Sequence, residues 1–380
     1  MQTFYLLKYS LFLLVFLLTN TAINSQNKAK LNNLSFEGTF TYGRIFIHTA
    51  RISTPITTNT LGGEFSIEKQ LDGQRNEQQI FAKYPQMGLL INYQNFNQSY
   101  IGWGIGIAPY VNMDFINYKR FRLYGRLALG VGWLSQHYNL ATNTQNNIVG
   151  SHWSNNTILR ITTAFRINKY VELRPSFHFS HFSNGASQLP NYGINVTSLQ
   201  LGVAYCPNGY SKNKFKKIAD TPTTLNKRIY LNTTVQLGIR ESTTYGGAKY
   251  PAYLIGMDIN KWVTKLHRAR IGIEYERLNH IKEFLLNTQT YTNRQAAWQA
   301  SRISAYGGVE IVWGKFTLGT NIGFYLTRNE LQPYFFHIRI LARYYFTNPV
   351  SSKVQPYIGW GLKTHKIVAE YMALNVGVLF

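Results

Sequence analysis

The sequence predicts an all-β fold, a transmembrane antiparallel β-barrel of about 16 strands. Three observations predict it. Apolar residues alternate with polar or small ones over segments near ten residues long. The apolar faces are rich in aromatic side chains, which make up 15% of the chain and include 27 Tyr. A short apolar stretch near the N-terminus has the layout of an export signal.

The alternation has period two. In Phe121–Trp133, Phe121, Leu123, Gly125, Leu127, Leu129, Val131 and Trp133 hold the odd positions, with Arg122, Tyr124, Arg126 and Gly130 between them. Ile101, Trp103, Ile105 and Ile107 alternate with glycines. Ile229, Leu231, Val235, Leu237 and Ile239 alternate with Tyr230, Asn232, Gln236 and Gly238. Successive side chains of a strand point to opposite faces, so each segment carries one apolar and one polar or small face. A soluble sandwich gives the same pattern. The aromatic faces, the strand lengths and the export signal favour a barrel, whose aromatic girdles sit at the two membrane interfaces.

Strands are expected at 34–47, 62–71, 86–95, 100–109, 120–134, 156–167, 170–183, 195–206, 228–240, 251–261, 267–277, 302–313, 315–327, 334–347, 353–363 and 368–380. Counts from 12 to 16 fit the pattern, and bacterial single-chain barrels use even numbers. Asn168-Lys169 and Gly314-Lys315 read as tight hairpin turns. The segments 135–155, 184–194 and 278–300 read as long polar loops, on the outer side if the first strand runs outward.

Lys8 precedes the apolar run Leu11–Leu18, which is about half of the roughly 20 residues a spanning helix needs. A signal peptide over 1–25 is expected, with cleavage after Ser25 and a mature chain from Gln26. Residues 26–206 then form a first barrel half, 207–227 a basic loop, and 228–380 a C-terminal half ending in Phe380. One enlarged barrel is expected to take up both halves, because the last strand, with Met372, Leu374, Val376, Val378 and Phe380 on one face, closes the whole chain. An ending of this kind resembles the signal read by the barrel-assembly machinery, an expected partner in biogenesis.

The chain carries 39 Lys and Arg against 16 Asp and Glu, a formal net charge of +23. For an exported protein that surplus points to an anionic membrane surface and away from nucleic acid. Cys206 is the sole cysteine, so no intrachain disulfide and no cysteine metal site is available. No Asp/Glu/His grouping has metal-ligand spacing, and neither a metal nor a cofactor is expected. His48 and His152 fall in external loops, where solvation is the default. His337 and His365 read as girdle or loop residues.

One segment differs in kind: Ser180-His181-Phe182-Ser183-Asn184-Gly185-Ala186-Ser187-Gln188-Leu189-Pro190-Asn191-Tyr192-Gly193-Ile194-Asn195. By alternation His181 and Ser183 continue the Phe177/Phe179 face, which is the lipid face, and Asn195 shares the phase of Leu199, Leu201 and Val203 on the next strand. All three side chains then meet on the outer wall at the end of a hairpin. Ser becomes a nucleophile when a neighbouring imidazole takes its proton. Asn195 can accept from the imidazole N–H and fix its tautomer. Backbone N–H groups at Asn184, Gly185 and Ala186 are candidates for an oxyanion hole.

His-x-Ser-Asn-Gly followed by Pro-Asn-x-Gly-x-Asn resembles the signature of the lipid A 3-O-deacylases, the PagL-like family of outer-membrane barrels. The resemblance implies that His181 is the base and Ser183 the nucleophile. The family places an acidic residue at the position of Asn195 to orient the His, so this chain departs from the pattern by Asn for Glu. The likeness covers roughly residues 34–206. More loosely, Tyr84-Pro85, Gly150-Ser151-His152 and Gly361–His365 are similar to pieces of longer acyloxyacyl-hydrolase-like proteins. The function implied is an outer-membrane esterase that cuts an acyl ester of lipid A, at the 3-position, with lipopolysaccharide as partner. Two alternatives stand beside it. One is a porin whose lumen is lined by Arg122, Arg126, Arg160, Arg166 and Arg174. The other is an inactive relative that only binds lipopolysaccharide, consistent with Asn195.

Overall fold

The computed structural model describes residues 34–71, 85–210, 228–242, 244–264, 266–327, 329, 331, 334–366 and 368–380. The expected signal peptide and nearly all of the basic 207–227 stretch lie outside the described residues. Sixteen strands are present: β1 Leu34–Ile45, β2 Thr60–Gln70, β3 Gln86–Asn95, β4 Trp103–Tyr118, β5 Phe121–Leu134, β6 Trp153–Arg166, β7 Val171–Ser183, β8 Ile194–Tyr205, β9 Ile229–Glu241, β10 Lys249–Trp262, β11 His267–Leu278, β12 Ser301–Trp313, β13 Phe316–Tyr325, β14 Phe336–Tyr345, β15 Gln355–His365 and β16 Val368–Leu379.

They do not form one enlarged barrel. β1 pairs with β8, closing a first eight-stranded antiparallel barrel, and β9 pairs with β16, closing a second. The expectation of a single barrel failed because period-two patterning says which way a side chain faces, not which strand closes on which. Phe380 ends the second barrel only. The fourth strand begins later and runs further than expected, over Trp103–Tyr118, with a bulge between Asp114 and Ile116. Ile101 leaves the lipid face and is fully buried beside Phe96, Leu134 and Phe182.

Facing follows the sequence elsewhere, and it is inverted relative to a soluble protein. The exposed side chains are apolar, as with Phe65, Leu89, Ile91, Ile107, Phe177, Leu199, Leu201, Ile255 and Ile273. The buried ones are charged, and Arg160, Arg174, Arg268, Arg339 and Lys363 are among the largest fully buried side chains. A continuous apolar outer belt on this scale is stable only against lipid. Among the described residues no helix is long and apolar enough to cross a membrane, so the strands make the crossing.

Each lumen is an ion-pair core. In the first barrel Glu37 meets Arg126 at 3.0 Å, Arg160 at 2.8 Å and Arg174 at 3.1 Å. Glu64 holds Arg126 at 2.6 Å and Arg160 at 3.0 Å, and Glu68 holds Arg174 at 2.7 Å. The second barrel repeats the device with Arg268–Glu310 at 2.8 Å and Arg339–Glu274 at 3.0 Å. The interior of an eight-stranded barrel is only wide enough for its own side chains. The arginines read as an anion-conducting lining are therefore neutralised and packed.

Loop lengths separate the two ends. Gly314 (φ +59°) and Lys119 (φ +49°) sit in short turns at one end. Most of the long connections lie at the other, the β2–β3 and β8–β9 connections being the exceptions. The stretch expected as a polar loop between β11 and β12 instead holds two helices, α1 Asn279–Asn287 and α2 Asn293–Gln299. α1 buries Ile281 and Leu285 against Ala252, Tyr371 and Ala373. α2 starts in a reciprocal capping box between Thr292 and Gln295, which satisfies two otherwise orphaned N–H groups.

Candidate active site

The hairpin joining β7 to β8 carries the predicted residues, and the register places them together. His181 lies directly across from Asn195. Both are on the outward phase, two residues beyond Phe179 on β7 and two before Thr197 on β8. His181 Nδ1 and Asn195 Oδ1 are 2.5 Å apart. Asn195 Nδ2 lies 2.8 Å from Nδ1 of His48, in the segment after β1. A neutral His48 accepts from that amide, which turns Oδ1 toward His181. Oδ1 in turn accepts a hydrogen bond from Nδ1–H of His181, which leaves the Nε2 lone pair free. His48 is thus not a solvated loop residue. Sequence reasoning missed it because 147 residues separate it from Asn195; only closure of β1 on β8 brings them together.

Gly193 has φ +82° and could not be another residue without moving the His181 ring: a Cβ there would lie 2.6 Å from Cε1 of His181. Its place in the Pro-Asn-x-Gly-x-Asn string is thereby explained by the ring it faces.

Ser183, Asn184 and Ala186 are buried. The Ser183 hydroxyl donates to Oδ1 of Asn191 at 3.1 Å, not to His181. The same Asn191 oxygen accepts from the Asn184 N–H at 3.0 Å, and the Gly185 N–H donates to Ser183 Oγ at 3.3 Å. Of the three candidate oxyanion donors, two are therefore engaged in this state. Gly185 and Ala186 both have positive φ, 62° and 64°, so the chain turns sharply after the serine. Asn191 is the second residue that sequence reasoning passed over. The Asn184 side chain donates to Ser151 Oγ and to the Gln188 carbonyl, each at 2.8 Å. Gly150-Ser151-His152 is thereby tied to the hairpin. His152 is not solvated either; it stacks on Trp133 with ring centroids 5.1 Å apart.

The loop also leans on the second barrel. The Glu241 N–H donates to the Ala186 carbonyl at 3.3 Å, and the Glu241 carboxylate accepts from the Leu189 N–H. A Cβ on Gly185 would come within 2.6 Å of the Met372 Cβ. Sequence reading gave no role to these contacts, which require two separate barrels lying side by side. His337 and His365 are not girdle residues. Both are buried, His337 3.0 Å from Glu274 and His365 2.8 Å from the Tyr325 hydroxyl. Among the described residues no group of three His, Cys, Asp or Glu side chains is arranged to hold a metal ion.

A closed barrel with an apolar outer belt and a charged, packed lumen defines a class, that of outer-membrane β-barrel proteins. Residues 50–204 match the family model described as lipid A 3-O-deacylase (PagL), and residues 228–380 match the one described as acyloxyacyl hydrolase, C-terminal domain. The two matches fall one on each barrel and between them take in most of the chain, which belongs to this PagL-like acyloxyacyl hydrolase family of outer-membrane barrels. Among solved structures, the chain is similar to the outer membrane enzyme PagL, with 14% identity over 44% of this chain and 97% of that chain and a TM-score of 0.29. It is similar to Neisserial surface protein A, with 9% identity over 46% of this chain and 97% of that chain and a TM-score of 0.33. It is similar to the KdgM porin, with 10% identity over 72% and 92% and a TM-score of 0.16. No curated protein matches.

Proposed function

We propose that this protein removes an acyl chain from lipid A by hydrolysing its 3-position ester, with Ser183 as nucleophile, His181 as general base and acid, and Asn195 as the group that orients His181. The observation that carries this reading is the 2.5 Å contact between His181 Nδ1 and Asn195 Oδ1 on the outer wall, two residues from Ser183.

Ser183 Oγ, turned from Asn191 to His181, attacks the ester carbonyl while Nε2 takes its proton. The carbonyl oxygen becomes an oxyanion beside the backbone N–H groups of residues 184–186. Rotation of Ser183 also frees the Gly185 N–H, which it otherwise occupies. The imidazolium then protonates the departing sugar oxygen as the ester bond breaks. Water, deprotonated by His181, cleaves the acyl-enzyme and releases the fatty acid. The position of the hairpin at the long-loop end, with His181 and Asn195 on the outward phase, supports a substrate among the acyl chains of lipopolysaccharide in the outer leaflet. The net charge of +23 suits the phosphates of that lipid. The reaction is tested by mass spectrometry of lipid A from cells with and without the protein. The expected result is loss of one 3-hydroxyacyl mass. Unchanged lipid A from an outer membrane rich in folded protein overturns the reading.

The departure at Asn195 makes its own prediction. Asn195 orients the imidazole without supplying charge, so Asn195→Ala is expected to slow hydrolysis by roughly one to three orders of magnitude, less than loss of the nucleophile. His48→Leu is expected to cost less, because it removes the acceptor that holds Nδ2 but leaves the Oδ1–His181 contact able to form. Asn195→Glu should match or exceed wild type per folded barrel. The measurement is specific activity normalised to the heat-modifiable band on a gel. Wild-type activity in Asn195→Ala would reduce the catalytic set to His181 and Ser183.

A further inference from the structure

At the long-loop end of the second barrel, under α1, lies a cavity of about 430 Å³, within the size range of small-ligand sites. It is amphipathic. Phe284, Leu331 and Val368 stand exposed around its mouth. Arg240, Arg302, His280 and Glu370 line it deeper down. Arg302 is only 4% exposed, and its Nε has no hydrogen-bond partner; neither has Nε of Arg240 or Nδ1 of His280. A buried donor left unmatched is costly, and an anionic ligand that accepted from these groups would remove that cost.

The charges are also unbalanced. Arg240, Arg302, Arg339 and Lys363 interlock here with Glu274, Glu276 and Glu370, four cations against three carboxylates. Burial and the neighbouring Arg240 push the His280 imidazole down to about 3, so it stays neutral and adds no charge. One positive charge remains without an anion at the floor of a cavity with an apolar mouth.

We infer that this cavity is a binding site for a single-chain amphiphile with a monoanionic head, a fatty-acid carboxylate, held by Arg240 and Arg302 with its chain against Phe284, Leu331 and Val368. A lipid phosphomonoester carries more charge than the single unmatched cation can balance. The site shares a wall with the serine site. Arg240 points into the cavity, while the next residue, Glu241, faces outward to the Ala186–Leu189 loop. The inference does not depend on Ser183.

The test is saturation binding of radiolabelled dodecanoate to the folded full-length protein in nanodiscs of zwitterionic lipid, with empty nanodiscs as reference. One saturable site is expected, with dodecanol at least tenfold weaker as a competitor. Arg240→Gln and Phe284→Asp are each expected to weaken binding at least tenfold. The two act on different parts of the site, so one suffices if the other fails to fold. Ser183→Ala is expected to bind as wild type, which separates this site from the proposed chemistry. Tighter binding of 3-hydroxydodecanoate than dodecanoate would identify the released acyl product as the ligand; equal binding would identify fatty acids generally. Absence of saturable binding, equal competition by dodecanol, or wild-type affinity in a folded variant overturns the inference.

Discussion

Ser183→Ala is expected to abolish deacylation while the first barrel stays folded. Removing the nucleophile from a Ser–His hydrolase costs on the order of 10⁶-fold in turnover, so lipid A from cells making this variant should be indistinguishable from lipid A of cells lacking the protein. The structural cost is small. Ser183 gives up one hydrogen bond to Asn191 and one from Gly185, and Asn191 keeps its bond from the Asn184 N–H. The barrel should therefore still show the heat-dependent gel shift of a closed sheet in detergent. Persistent deacylation by a folded Ser183→Ala protein would move the chemistry to another residue.

Glu37→Ala should be the most damaging single change to stability in the first barrel. Glu37 is buried and touches three guanidinium groups, those of Arg126, Arg160 and Arg174. Four arginines, Arg122, Arg126, Arg160 and Arg174, are matched inside this lumen by Glu37, Glu64, Glu68 and Glu172. Removing one carboxylate strands a buried positive charge, which costs about 3–5 kcal/mol. Glu37→Gln keeps the shape and part of the hydrogen bonding and is expected to fall between Ala and wild type. The measurement is the temperature at which the folded band converts to the unfolded one, or the urea midpoint in liposomes. A midpoint unchanged in Glu37→Ala would mean that water reaches the lumen and solvates the arginines there.

Sixteen strands, their facing and the His181–Asn195 pair were legible in the sequence, because each depends on local alternation. Strand pairing across the seams was not. Nothing in the period of β8 or β9 distinguishes a strand that pairs with its sequence neighbour on both sides from one that closes a barrel. The same blindness hid His48, Glu241 and Met372, each brought to the site by closure or by the neighbouring barrel. The helices between β11 and β12 were read as a loop. α1 is only nine residues long, too short to be stable alone, and is held by laying Ile281 and Leu285 on the barrel rim. Asn191 sat inside the quoted motif, yet its role emerges only when the loop folds its Oδ1 back to Ser183 and the Asn184 N–H.

The seam of the first barrel runs through the proposed catalytic site. β8 carries Asn195, the chain leaving β1 carries His48, and the Phe46 N–H donates to the Asn195 carbonyl at 2.7 Å across that join. Until β1 docks on β8, His48 cannot hold the Asn195 amide, and the amide cannot hold the base. On the proposed chemistry, sealing of the barrel is then also the step that completes the site, since the imidazole gains its full set of neighbours only once the first and last strands have paired.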